Sequence, residues 1–243
     1  MLIMGILNVT PDSFADGGRH NDFDAAVARG LEMIAEGVDI IDIGGESTRP
    51  GAERVSEAEE IERTIPVITE LANYGARISI DTMRASTAEA AVKAGASIIN
   101  DVSGGLADPH MLQTAARLQV PYIAMHWRGQ SKDMNSKAIY NDVVIDVISE
   151  LQERITAALD AGIEVGNLII DPGLGFAKDG EHNWEIIDSI DSFVDLGYPV
   201  LVGASRKRFL GGDSPDEREQ ATIDLTKRLA TTGVWAVRVH SVK

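Results

Sequence analysis

Short apolar runs recur along the whole chain, and a polar segment follows each one before the next begins. Runs that are apolar at nearly every position and rich in Ile, Val and Leu are typical of strands buried on both faces of a parallel sheet. Eight strands are predicted in this way, in the segments LIMGILNV, DIIDIGG, RISIDT, SIINDVS, PYIAMHW, NLIIDPG, PVLVGAS and VWAVRVH.

Amphipathic stretches lie between these runs and predict helices. Their apolar residues recur three or four positions apart, and several stretches end at a glycine suited to a helix C-terminus. The clearest are DFDAAVARGLEMIAEG, SEAEEIERTIPVITELANYG, STAEAAVKAG and DVVIDVISELQERITAALDAG.

The alternation of strand and helix predicts an α/β fold. Eight such units in a chain of this length favour a closed (β/α)8 TIM barrel over an open doubly wound sheet. No linker or change of composition divides the sequence, so a single domain over residues 1–243 is predicted. Because the last apolar run ends at His240 and only residues 241–243 follow, we expect the eighth covering helix to be missing from this chain.

Polar side chains stand at the ends of all the predicted strands. A single Asp in such a place is more often the N-cap of the next helix, and ion pairs around the rim are an alternative interpretation of the set. Together they favour a functional site, because the catalytic residues of this fold lie at the carboxyl ends of its strands. The set comprises Asn8, Asp42, Asp81, Asn100, Asp101, His126, Asp171, Ser205, Arg206, Lys207, Arg238 and His240.

The charge balance narrows the choice of partner. The 22 Lys and Arg residues against 38 Asp and Glu residues give a net charge of −16, which disfavours nucleic acids and anionic membranes. Cysteine is absent, which excludes disulfides and a thiol nucleophile. No secretion signal is evident at the N-terminus, and no apolar run reaches the ~18 residues that a membrane span requires. We therefore expect a cytoplasmic protein.

The polar residues divide into two chemical groups. Asp81, Asn100 and Asp171 offer acceptors and an amide donor suited to the polar edge of a flat heterocycle. Positive charge suited to a phosphate or carboxylate is offered by Arg49, Arg206, Lys207, Arg238 and His240. The sequence thus predicts a site for small anionic molecules.

Familiar nucleotide and metal motifs are missing. DPGLGFAK is only weakly similar to a phosphate-binding glycine loop, and neither G-x-x-x-x-G-K-[ST] nor H-E-x-x-H occurs. The 5 histidines are scattered along the chain, so a metal site built from histidine is not expected.

Seven segments, in order along nearly the whole chain, resemble the dihydropteroate synthase family of pterin-binding enzymes: GILNVTPDSF, IDIGGESTRPGA, SIDT, INDVSGG, DPGLGFAK, LVGASRKRF and VRVH. The resemblance implies condensation of the diphosphate ester of 6-hydroxymethyl-7,8-dihydropterin with 4-aminobenzoate, giving dihydropteroate and pyrophosphate in folate biosynthesis. It also implies Mg²⁺ as cofactor, small-molecule substrates, a homodimer and sensitivity to sulfonamides.

The resemblance assigns roles to individual residues. Asn8 resembles the Mg²⁺ ligand, and Asp12 lies in a first loop that would close over the reaction. Residues implied to bind the pterin diphosphate are Thr48, Asp81, Asn100, Met125, Asp171, Gly203, Lys207, Arg238 and His240. Those implied to bind 4-aminobenzoate are Thr48, Arg49, Pro50, Phe176, Ser205 and Arg206. Catalytic roles fall to Asp12, Lys207, Arg238 and His240.

Two departures from the family pattern leave alternatives open. Ser241 stands where the family usually has Asp after VRVH, and the family continues with a helix beyond this strand. One alternative is a pterin-binding paralogue without catalytic activity, which turnover would distinguish. Another is a pterin-dependent methyltransferase that passes a methyl group to a corrinoid, although such an enzyme has no need of STRPG together with SRK.

Overall fold

The computed structural model describes residues 1–10, 19–46, 55–130 and 134–242. All eight predicted strands lie within these ranges, and each is shorter than the apolar run that predicted it. They are β1 (Leu2–Asn8), β2 (Ile40–Gly44), β3 (Ile78–Asp81), β4 (Ile98–Asp101), β5 (Tyr122–Met125), β6 (Leu168–Asp171), β7 (Leu201–Val202) and β8 (Ala236–Val239).

Every strand pairs in parallel with its sheet neighbours. Their order around the sheet is β6-β5-β4-β3-β2-β1-β8-β7. An isolated parallel bridge between Ile170 and Val200 brings the two ends of the sheet together. The result is a nearly closed α/β TIM barrel, which confirms the predicted fold class.

Helices cover the outside of this barrel. Within the described ranges they are α1 (Arg19–Ala35), α2 (Glu57–Asn73), α3 (Ala85–Ala94), α4 (Met111–Leu118), α5 (Val143–Asp160), α6 (Gly180–Asp188), α7 (Ile190–Val194) and α8 (Glu219–Leu229). The four helices predicted from sequence correspond to α1, α2, α3 and α5. Among the described helices, α6 and α7 share the connection between β6 and β7, and the described residues after β8, up to Val242, form no helix.

Side-chain caps fix where two of the longer helices begin. The Ser56 hydroxyl accepts a bond of 3.2 Å from the Glu59 amide at the start of α2. At the start of α5, the Asp142 carboxylate accepts hydrogen bonds of 3.0 Å from the Val144 and Ile145 amides. These bonds satisfy amides that have no partner inside the helix. Each of these helices follows a loop that begins at the carboxyl end of a strand. The capping bonds therefore also fix the point where that loop ends.

An apolar layer, here called the base layer, fills the lower half of the barrel. Its residues are nearly all completely buried, namely Met4, Ile40, Ile98, Ile123, Ile169, Leu201 and Ala236. Neighbouring strand residues such as Ile41, Ile99 and Ile170 belong to a second cluster, which packs between the strands and the helices. Side chains alternate along a strand, so the next inward position lies two residues nearer the carboxyl end.

No described helix combines the length and apolar character that crossing a bilayer would require.

The base layer predicts where the barrel is sensitive to truncation. Ile123 is completely buried, so Ile123→Ala should lower the free energy of unfolding by about 2–5 kcal/mol, because lost transfer energy and a cavity add together. Ile139 is 78% exposed, and Ile139→Ala should change the same quantity by less than about 0.5 kcal/mol. Urea unfolding of both variants checks this, and equal losses would contradict the packing described here.

Candidate active site

A second layer of inward residues, here called the upper layer, lies above the base layer. Asp42 stands two residues beyond Ile40, and the same spacing relates Asn100 to Ile98 and Arg238 to Ala236. The upper layer comprises Asp42, Asp81, Asn100, Met125, Asp171, Gly203 and Arg238. The fold therefore brings to one end of the barrel six residues that the sequence assigned to a site, together with Asp42.

Arg238 joins two carboxylates in the upper layer. Its Nε donates to Asp42 Oδ2 at 2.6 Å, and its Nη2 donates to Asp81 Oδ2 at 2.7 Å. Asn100 donates to the same Asp42 oxygen at 3.1 Å. The other carboxylate oxygen, Asp42 Oδ1, is buried and has no partner among the described residues. Three strands are thus connected through one guanidinium.

Burial raises the pKa of two carboxyl groups here. The pKa of Asp81 rises to about 7 because its carboxyl is desolvated, although Arg238 opposes the rise and Asp42 adds to it. Desolvation also raises the pKa of Asp171, against a hydrogen bond of 2.7 Å from the Gly173 amide. Asp81 therefore changes protonation near neutral pH, and its carboxyl can serve as acceptor or donor to a heterocycle.

Lys207 enters the site from the loop after β7. Its ammonium donates to the Leu174 carbonyl and lies 4.8 Å from the centre of the Phe176 ring. Desolvation lowers the pKa of Lys207 to about 8, although Asp171 opposes this. Gly175 makes room for the lysine, since a Cβ there would lie 2.8 Å from Lys207 Cδ.

The neighbours of Lys207 point elsewhere. Ser205 Oγ lies 3.0 Å from His240 Nδ1 and accepts from the His240 amide at 3.2 Å, which ties the end of β7 to the end of β8. Arg206, at a left-handed φ of 58°, pairs with Glu219 of α8 at 2.7 Å. Arg208 is exposed and begins a short 3-10 turn.

Met125 and Gly203 complete the apolar part of this site. Met125 is buried, and a Cβ on Gly173 would lie 3.3 Å from its Cγ, so its side chain faces the loop after β6. A Cβ on Gly203 would lie 3.9 Å from both Arg238 Cβ and Lys207 Nζ, so glycine keeps the space between these two cations open.

Four predicted site residues, Asp12, Thr48, Arg49 and Pro50, lie outside the described residues. The described residues on either side of 47–54 share one partner. Arg84 donates to Glu46 at 2.9 Å and to the Val55 carbonyl at 2.6 Å, and it also pairs with the buried Glu60. One guanidinium therefore fixes the residues that precede and follow 47–54.

The metal-binding potential of the described residues is limited. They contain no group of three or more His, Cys, Asp or Glu side chains that could hold a metal ion. Asn8 is half-buried at the carboxyl end of β1 and offers an amide oxygen. An amide oxygen in such a position can contribute one ligand to a hard divalent cation.

The comparisons with known proteins agree with this geometry. The model of the pterin-binding enzyme family matches residues 4–240. The chain belongs to this family.

Individual relatives are also similar along almost the whole chain. Dihydropteroate synthase of Mycobacterium leprae is 49% identical over 251 residues, covering 99% of this chain and 88% of that protein. The structure of the Xanthomonas albilineans dihydropteroate synthase with 4-aminobenzoic acid has a TM-score of 0.93 and 45% identity, covering 99% of this chain and 88% of that one. A structure of the same enzyme with 7,8-dihydropteroate has a TM-score of 0.89 and 41% identity, with the same coverage.

Two residues of this pterin-binding enzyme, Asp42 and Lys178, were given no individual role from the sequence. Asp42 was noted only as a polar strand end, yet its spacing of two from Ile40 places it inward. Lys178, which is 7% exposed, lies behind the loop after β6 and contacts His126. The lysine ends the DPGLGFAK segment, but nothing in that pattern predicts its burial.

Asp101 and His126 follow inward residues directly and therefore face outwards. Asp101 accepts four hydrogen bonds, from the Ser103 amide and hydroxyl, the Gly105 amide and the Tyr122 hydroxyl. Its role is to shape the turn after β4. His126 contacts Glu150 of α5 at 2.9 Å.

Removing the Arg238 charge should destabilise the protein in a pH-dependent way. Arg238→Leu removes the group that lowers the pKa of Asp81, so that pKa rises further above its unfolded value. The folded state then retains a proton that the unfolded chain releases above about pH 4, and stability falls as pH rises. We expect a loss of about 3–5 kcal/mol at pH 8 and a smaller one at pH 5.

Urea unfolding at both pH values measures this loss. Arg228→Leu is the matched control, since Arg228 forms an exposed pair of 2.7 Å with Asp188 that contributes about 0–1 kcal/mol. A loss in Arg238→Leu that is the same at pH 5 and pH 8 would contradict the assigned charge coupling.

Proposed function

We infer that this chain is a dihydropteroate synthase, which joins (7,8-dihydropterin-6-yl)methyl diphosphate to 4-aminobenzoate. The products are 7,8-dihydropteroate and diphosphate. One observation carries this inference. At the open end of the barrel, hydrogen-bond acceptors on β3, β4 and β6 lie beside cations on β8 and on the loop after β7. That pairing suits a polar heterocycle with an anionic substituent.

The pterin ring is proposed to occupy the upper layer. Asp81, Asn100 and Asp171 would bind its amide and amine edge, while Met125 and Gly203 would line its faces. The raised pKa of Asp81, about 7, suits this role because the carboxyl can match either a donor or an acceptor on the ring. Lys207 would also reach the ring, and its charge balances that of Asp171.

The diphosphate is proposed to lie toward the rim of the barrel. An aromatic amine is a weak nucleophile, so the efficient path lets the C–O bond break first, with the electron pair leaving on diphosphate. Arg238 and His240 would stabilise that charge, which is commonly the largest single contribution to such catalysis. The amine nitrogen then bonds to the exocyclic methylene and loses a proton.

Mg²⁺ is proposed as the cofactor, with Asn8 contributing an oxygen ligand. The absence of a three-residue ligand group in the described ranges fits a metal that is held chiefly by the diphosphate itself. When bound, Mg²⁺ would neutralise charge on the leaving group.

The aminobenzoate is proposed to bind beside the Phe176 ring. Ser205 would border the pocket, and Arg206 would supply positive charge for the carboxylate if it exchanged its partner Glu219 for the substrate. Thr48, Arg49 and Pro50 would complete the pocket, and Asp12 would belong to the loop that excludes water. A sulfonamide would compete at the same place.

A homodimer and a cytoplasmic location remain predictions. The dimer follows from the family resemblance.

Turnover distinguishes this function from its alternatives. The protein, mixed with the pterin diphosphate, 4-aminobenzoate and Mg²⁺, should release diphosphate in step with the formation of dihydropteroate. A coupled phosphate assay and chromatography of the product measure the two. Pterin binding without any diphosphate release would favour the inactive paralogue, and methyl transfer to a corrinoid would favour the other alternative.

The two adjacent cations Lys207 and Arg208 should differ greatly in effect. Lys207→Ala removes a desolvated charge from the site and should lower kcat/KM by about 100-fold or more, since each 1.4 kcal/mol corresponds to about tenfold. Arg208→Ala removes an exposed charge and should change kcat/KM by less than about fivefold. If steady-state kinetics found both variants equally impaired, with unchanged circular dichroism, the assigned orientations would be wrong.

A further inference from the structure

Lys178 is a buried lysine to which the proposed reaction gives no role, and its burial lowers its pKa to about 7. Its side chain lies at the end of the loop after β6, here called the 172–177 loop. The ammonium donates to the Gly173 and Phe176 carbonyls, each at 3.1 Å, and contacts His126 Nδ1 at 2.8 Å. In the charged form, all three hydrogens of the ammonium have partners.

The direction of the contact with His126 follows from the other ring nitrogen. His126 Nε2 lies 2.9 Å from Glu150 Oε2, and Arg128 also binds that carboxylate. Although burial opposes it, hydrogen bonding from His126 and Arg128 lowers the pKa of Glu150 to about 2. The carboxylate is thus an acceptor, Nε2 carries the proton, and Nδ1 accepts from Lys178.

The loop that Lys178 holds has an unusual backbone. Gly173, Gly175 and Ala177 have φ values of 68°, 77° and 47°. Such conformations are costly for Ala177 and need support from their surroundings. The Tyr140 hydroxyl adds such support by donating to the Ala177 carbonyl at 2.9 Å.

Two lysines contact this loop from opposite sides. Lys207, on the side of the site, donates to the Leu174 carbonyl and lies over the Phe176 ring. Lys178, on the side of His126, binds the carbonyls of Gly173 and Phe176. These carbonyls lie next to, or in the same residue as, the groups that Lys207 contacts. The position of Phe176 relative to Lys207 therefore depends on both.

We propose that Lys178 is a positioning residue, which holds the 172–177 loop so that Phe176 lies correctly for the 4-aminobenzoate side of the site. The effect on aminobenzoate rests on the proposed function, whereas the effect on the loop does not. Asp171 accepts a hydrogen bond from the Gly173 amide of this loop, but it belongs to β6 and also pairs with Met125. The pterin side should therefore depend less on Lys178 than the aminobenzoate side does.

The absence of cysteine from the chain allows a chemical test. Lys178→Cys introduces a single thiol, and 2-bromoethylamine applied to the unfolded chain converts it to S-aminoethylcysteine, a close copy of lysine. After refolding, hydrogen exchange of the 172–177 amides and the KM for each substrate are measured before and after alkylation. Lys93→Cys, at a position 68% exposed, is the matched control and should change neither quantity.

In Lys178→Cys we expect exchange of the Gly173, Gly175 and Phe176 amides to be at least tenfold faster. The KM for 4-aminobenzoate should rise at least tenfold. The KM for the pterin diphosphate should rise by less than about threefold, because Asp171 and Lys207 contact the loop but are anchored outside it. Aminoethylation should restore both quantities to within about threefold. A residue that served only overall stability would lower the melting temperature without this difference between substrates.

Either of two results would overturn the proposal: unchanged loop exchange in Lys178→Cys, or faster exchange with an unchanged KM for 4-aminobenzoate. If the wild-type chain shows no turnover, the proposed function fails, while the exchange data still decide whether Lys178 holds the loop.

Glu150→Gln is a second variant should Lys178→Cys not refold. Its side chain is 34% exposed, and its charge fixes the His126 tautomer. We expect a smaller change in the same direction, about threefold or more in both exchange and KM for 4-aminobenzoate. No change in either would count against the proposal.

Discussion

The alternation of side chains along eight parallel strands is the constraint on which the site depends. One inward residue of a strand fills the base of the barrel, and the next, two positions on, faces the open end. Ile98 and Asn100 illustrate this, as do Ile169 and Asp171. A packed apolar base thus supports polar groups that could not fill the barrel themselves without large desolvation costs.

Charge at the open end is balanced locally, although the chain as a whole is strongly acidic. Asp42 and Asp81 share the guanidinium of Arg238, and Asp171 lies within the influence of Lys207. Burial moves the pKa values of Asp81 and Lys207 toward neutrality, to about 7 and about 8. Groups in this range can adjust their protonation to a bound heterocycle, which fixed charges cannot do.

Basic side chains also bind backbone groups around the site. Arg84 binds residues at both ends of the segment 47–54, and Lys178 binds two carbonyls of the 172–177 loop. A carbonyl bound by a buried cation is held more firmly than one bound by water, because charge-assisted bonds are stronger at low dielectric. Both loops contain residues that the family resemblance assigns to substrates.

The sequence alone was sufficient to predict the eight strands, since continuous runs of branched apolar residues have few other buried arrangements. It was also sufficient to identify most residues of the upper layer. It did not single out α4, α6, α7 or α8, because these helices are short and a few turns give the apolar pattern little room to repeat. Tertiary structure decided which charges meet. Asp42 and Arg238 are 196 positions apart, and Lys178 and His126 are 52 apart. Only the order of strands around the barrel and the path of the loop after β6 bring these pairs together, and the local sequence encodes neither.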